Sequence, residues 1–97
     1  MKINFECVFK NQEDVLIEEK PGVPLTLKLV LFNALLIHKN EESPDTKFKR
    51  WEYYKNIKDG MVDFKHEDIS FFKKIIGESY SALIMGQAWD FLEECNK

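Results

Sequence analysis

The chain has 97 residues, with 44% apolar, 13% aromatic and 32% charged side chains. That is enough for one globular domain with a single core, and too rich in rings for a disordered segment. A formal net charge of −3 and a pI near 5.4 speak against a protein that grips phosphate backbones, which needs a positive excess.

The N-terminus alternates: Ile3, Phe5, Cys7 and Phe9 fall on one side of a strand, Lys2, Asn4 and Glu6 on the other. After the polar run 10–14, Val15, Leu16 and Ile17 form a second short β-branched or apolar run. The pattern predicts a two-stranded antiparallel hairpin, which is barely stable alone and needs helices over its apolar face. Pro21, Gly22 and Pro24 break the chain. Thr26 then suits an N-cap, and residues 27 to about 39 read as a first helix, apolar almost all round. A helix without a polar face belongs at the centre of the fold or hides a second face against a partner. Ser43 as N-cap, Pro44 at the first helical position and Asp45 in the first turn start a second helix, running to about 58 and stopping at Gly60. A third runs from about His66 to Ile76, with Ile69, Phe72, Ile75 and Ile76 as its apolar stripe and Gly77 as its stop. A last helix, capped by Ser79 or Ser81, reaches about Glu94 and turns Leu83, Ile84, Ala88, Phe91, Leu92 and Cys95 inward. The expected fold is α+β: an N-terminal two-stranded antiparallel hairpin packed on about four α-helices, residues 1–97 forming one domain.

No residue pattern supplies chemistry. His66, Glu67 and Asp68 are consecutive, so their side chains splay about 100° apart on a helix and cannot converge on a metal; an acidic helix start explains them. Cys7 sits on the apolar strand face and Cys95 near the chain end, with no base beside either to activate a thiol; both are expected to be reduced. Ser79-Tyr80-Ser81 lacks the glycine frame of a nucleophile elbow. The four glycines are isolated, so no phosphate loop exists. No cofactor, metal or catalytic activity is expected. The longest apolar stretch is too short to span a bilayer, and no secretory signal precedes the first strand, which points to a cytoplasmic chain.

The best functional candidate is the segment 47–58, which mixes five basic residues with Trp51, Tyr53 and Tyr54. Helical spacing scatters its charges rather than lining them up, which weighs against nucleic acid. Phe48, Trp51, Tyr54 and Ile57 form one row, and Tyr53 points away from it. Arg, Tyr and Trp are the residues enriched at interface hot spots. Arg50, Tyr53 and Trp89 are therefore the expected protein-binding surface, with Trp51 and Trp89 each divided between core and interface.

The order of Leu25-Thr26-Leu27, Asn33-Ala34-Leu35-Leu36, Lys47-Phe48-Lys49-Arg50, Val62-Asp63-Phe64, Glu67-Asp68-Ile69, Ile75-Ile76-Gly77 and Gly86-Gln87-Ala88-Trp89 resembles a set of small hypothetical proteins of tailed bacteriophages and prophages. A Ser or Thr would cap the third helix in such proteins; here Lys65 holds that place. The resemblance carries no known activity. It implies a phage or prophage origin and a bacterial cytoplasm. The expected role is a non-catalytic accessory module that binds a host or phage protein. The alternatives are an assembly protein acting by self-association, such as a homodimer, and a small nucleic-acid-binding regulator.

Overall fold

A computed structural model describes residues 1–37, 39 and 41–94. Two short strands, β1 (Glu18–Lys20) and β2 (Val23–Pro24), precede four helices: α1 (Leu27–Leu36), α2 (Pro44–Lys58), α3 (His66–Ser79) and α4 (Ala82–Glu94). The α+β class and the N-terminal hairpin are as expected, but the hairpin forms one step later in the chain. Strands β1 and β2 pair antiparallel, Lys20 opposite Val23. Their turn is Pro21-Gly22, with Gly22 at φ +83°. Proline presets the first turn position and glycine accepts the positive φ of the second, the type II pattern.

The segment 2–9 does not build the expected ladder. It makes isolated bridges instead, Lys2 with Asp63 and Val8 with Thr26, and the next residue, Lys10, bridges to Leu16. Three backbone bonds close a ring: Phe9 N–H to the Leu25 carbonyl (3.2 Å), Leu25 N–H to Ile17 (2.8 Å) and Ile17 N–H to Phe9 (2.9 Å). Each segment thus serves the other two. The alternation still holds as burial, with Ile3, Phe5 and Phe9 buried and Lys2, Asn4 and Glu6 exposed.

One core draws on the N-terminal segment and all four helices. Helix α1 is its axis: Leu27, Val30, Leu31, Ala34 and Leu35 are buried, and α1 packs against both α2 and α3. Thr26 caps it as expected, accepting from Leu29 N–H at 3.3 Å. The helix ends at Leu36, earlier than the sequence suggests, because Ile37 turns extended. His38 lies outside the described residues. Ser43 caps α2 through Thr46 N–H.

Helix α3 runs through Gly77 to Ser79. A Cβ on Gly77 would meet Met85 Sδ at 3.4 Å and Trp89 Cζ2 at 3.7 Å, ordinary van der Waals distances, so this glycine neither stops the helix nor is demanded by the packing of α4. At the start of α3 the Lys65 side chain has no acceptor to offer. The Asp68 carboxylate reaches back instead and takes the Lys65 N–H at 2.9 Å, half of a capping box. In α4, Ala88 and Leu92 are buried, Ile84 and Phe91 half-buried, and Leu83 faces solvent. Cys95 lies outside the described residues. Among the described residues no helix is long and apolar enough to cross a membrane.

Candidate functional site

Arg50 is not a surface residue. It is 4% exposed, and its guanidinium is fully engaged. Nε donates to both Glu42 carboxylate oxygens (2.8 and 3.1 Å), Nη2 to Glu42 Oε2 (2.6 Å), and Nη1 to the Ala34 carbonyl (2.6 Å). The Ala34 carbonyl is one of the last four of α1, which have no partner within the helix. Arg50 therefore clamps the end of α1 to α2 and to the segment between them. Its enrichment at interfaces misled the sequence reading: the same planar fork that suits hot spots also suits a buried pair.

Tyr53 also faces inward. It stacks on Phe71 at 5.5 Å, meets Phe72 edge-on at 4.9 Å, and donates its hydroxyl to Asp68. Burial, together with the Asp68 carboxylate that accepts its hydrogen bond, pushes its pKa well above the ordinary phenol value. Because the folded chain holds this proton more tightly than the unfolded chain, stability should fall as pH rises past about 10. Tyr53→Phe is expected to cost about 1 kcal/mol at neutral pH and to flatten that alkaline loss. Urea melts at pH 7 and pH 11 on both proteins check it; parallel losses in both would contradict the assignment.

Trp89 is exposed at its rim, yet its indole N–H donates to the Lys73 carbonyl at 3.0 Å and its ring lies against Gly77. Positions 71 and 73 project about 200° apart on a helix. Trp89 thus lies across α3 from Arg50 and Tyr53. The three residues do not make one surface.

Helix α2 is turned so that Arg50, Tyr53 and Ile57 face the core, while the N-terminal part of the aromatic row faces water. Phe48 is 58% exposed and Trp51 47% exposed. The end of α1 joins them, with Leu36 53% and Ile37 45% exposed. Leu35, Leu36, Ile37, Lys39, Lys47 and Trp51 wall an open cleft of about 230 Å³, with Glu42 and Arg50 behind it. Tyr54 continues the row, edge-on to Phe32 at 4.9 Å.

Three of the five basic residues of 47–58, Lys47, Lys55 and Lys58, lie on this side. At 100° per residue, positions 47, 48, 51, 54, 55 and 58 share an arc of about 120°. Lys55 Nζ lies 5.9 Å from the Trp51 ring centre and Lys58 Nζ 5.7 Å from that of Tyr54. Lys28 Nζ stands 5.7 Å over Phe32 on α1. Lys49 is on the other flank, 4.6 Å over Phe71. No carboxylate lies within ion-pair distance of Lys28, Lys47, Lys55 or Lys58 among the described residues. The α1–α2 face is thus an aromatic and aliphatic row interleaved with lysines. The sequence signal that could have found it is the competing row Arg50, Tyr53, Ile57: both rows fit helical spacing, and only packing chooses between them.

Elsewhere the chemistry is plain. Among the described residues no group of His, Cys, Asp and Glu could hold a metal ion. Burial and the nearby Glu94 charge raise the Cys7 thiol above its usual range, the opposite of what activates a nucleophile. Compared with known proteins, the chain matches no family model, no curated protein and no solved structure.

Proposed function

We propose that the chain is a non-catalytic protein-binding module that docks its partner on the α1–α2 face. The observation that carries this reading is the exposure of four large apolar side chains, Leu36, Ile37, Phe48 and Trp51, at one corner of the fold. Contiguous apolar area of this kind usually marks an interaction site. Trp is among the residues that most often dominate binding energy. The cleft, at about 230 Å³, is smaller than usual small-molecule pockets of roughly 300–1,000 Å³. It suits one or two side chains of a partner. Lys47 at the cleft and Lys55 and Lys58 along α2, in no ion pair among the described residues, favour a partner whose apolar anchors carry carboxylates beside them. The resemblance to small phage proteins sets the proposed encounter in a bacterial cytoplasm, with a host or phage protein as partner.

An exposed Trp beside lysines could also stack on a single nucleic-acid strand. The aliphatic cleft walls and the net charge of −3 favour protein. In a pull-down from bacterial lysate, Trp51→Ala is expected to weaken capture about 30-fold, the effect of a hot-spot loss near 2 kcal/mol. Trp89→Ala, across α3, should leave capture unchanged. Equal capture by Trp51→Ala and the parent would remove this face from the account. Tight, salt-sensitive binding of an oligonucleotide would replace protein with nucleic acid as its ligand.

A further inference from the structure

The same chain also carries the chemical complement of this face. Residues 13–23 expose Val15, Leu16 and Val23 beside the exposed carboxylates of Glu13, Asp14, Glu18 and Glu19. Ile17 is the half-buried member of this stretch that packs on the core. Strand alternation therefore puts Leu16 and Glu18 together on its outer side. None of the four carboxylates is in an ion pair among the described residues. An apolar ridge among four carboxylates and Lys20 thus stands on one part of the molecule, and the α1–α2 face, with Lys47 at its cleft and Lys55 and Lys58 along α2 beside Trp51 and Tyr54, on another.

The two surfaces are built on different elements. The loop leading into the hairpin is anchored on α4: Lys10 N–H donates to Gln87 Oε1 at 3.0 Å, Gln87 Nε2 returns a bond to the Lys10 carbonyl at 2.8 Å, and Phe9 meets Phe91 edge-on at 5.3 Å. Glu13 lies beside Leu83 at the start of α4. Helix α2 packs instead on α1 and reaches α3 through Tyr53. One copy can therefore offer its hairpin while its own α1–α2 face stays open. A like-for-like pairing of two α1–α2 faces would set Lys47, Lys55 and Lys58 against their own copies, which electrostatics disfavours.

Resting on the docking face proposed above, we infer that its occupant is a second copy of this chain, bound head to tail through the acidic hairpin of residues 13–23. Such a contact is heterologous, so it closes into a ring or runs on as an open filament rather than stopping at a symmetric dimer. Its charges are solvent-exposed, so salt weakens it.

Paired charge reversals test it by sedimentation velocity. The parent should sediment as larger species with rising concentration in about 20 mM salt and return to its 11.5 kDa monomer in about 0.5 M salt. Lys47→Glu with Lys55→Glu makes both surfaces acidic. Glu13→Lys with Glu19→Lys makes the hairpin basic like the face. Each double variant alone should remain monomeric, and an equimolar mixture should regain the parent's association, because each then complements the other. Lys2→Glu with Lys65→Glu changes net charge as much as the first pair, away from both surfaces, and should associate like the parent. A parent that stays monomeric, a hairpin variant that associates as the parent does, or a mixture that does not recover would each overturn the head-to-tail contact. A monomeric parent whose lysate capture is still lost in Trp51→Ala would remove self-association and keep the docking face.

Discussion

Leu31→Ala is expected to lower the unfolding free energy by about 2–5 kcal/mol, the usual cost of truncating a fully buried leucine. Leu31 is fully buried, and it sits on the helix that packs against both α2 and α3. Helix α1 has no acidic residue in its first turn and no basic residue in its last. Besides the Thr26 cap, the Arg50 bond to its last turn and the bonds from Leu27 and Lys28 N–H to the Cys7 and Phe5 carbonyls (2.9 and 3.2 Å), packing holds it in place. Deleting three buried carbons removes their transfer energy and leaves a cavity that neighbours on two helices cannot readily fill. Asn33, on the exposed side of the same helix, provides the contrast: Asn33→Ala should fall within about 0.5 kcal/mol of the parent. Chemical denaturation of both variants checks the pair. A Leu31→Ala protein as stable as Asn33→Ala would mean that α1 is not the axis of the core.

Arg50→Ala should cost about 3 kcal/mol, because it breaks a buried pair and strands its partners. Glu42 loses three hydrogen bonds from the guanidinium, and the Ala34 carbonyl loses the donor that completes the end of α1. Arg50→Lys should recover only part of this, since an ammonium cannot span a carboxylate and a carbonyl with the same flat fork. In a double-mutant cycle with Glu42→Ala, the coupling should reach about 1–3 kcal/mol, as expected of residues sharing one network. Additive losses, or an Arg50→Ala protein within about 0.5 kcal/mol of the parent, would show that the clamp contributes nothing.

How much of this was legible in the sequence differs between elements for physical reasons. The caps Thr26 and Ser43, the stripe Ile69, Phe72, Ile75 and Ile76, and the all-apolar α1 are local signals, and the structure follows them. The alternation of Ile3, Phe5 and Phe9 reported burial correctly but not pairing, since a period of two says which side is covered and not which strand lies alongside. Pro21-Gly22 gave the turn, yet the strands it joins are too short and polar to announce themselves. Gly77 read as a helix stop, but a glycine ends a helix only where the backbone turns to positive φ, and α3 keeps its helical course through Gly77 to Ser79. Arg50 and Tyr53 read as surface residues for a reason that lies outside their own helix. Helix α2 has two rows fit for a core. The long-range partners Glu42, Ala34, Asp68 and Phe71 hold the row with Arg50 and Tyr53 inward, leaving Phe48 and Trp51 outside.

The central claim is that this chain works by protein contact through the α1–α2 face, and site-specific photo-crosslinking in bacterial cells tests it most directly. A photoreactive phenylalanine analogue replaces Phe48, at the exposed N-terminal end of the row, or Ser70, an exposed position on α3, as the control. Irradiation should yield discrete polypeptide adducts from position 48, whether with a second copy or another protein, and none from position 70. Adducts equally abundant from both positions, adducts with nucleic acid alone, or no adducts from position 48 would contradict the account.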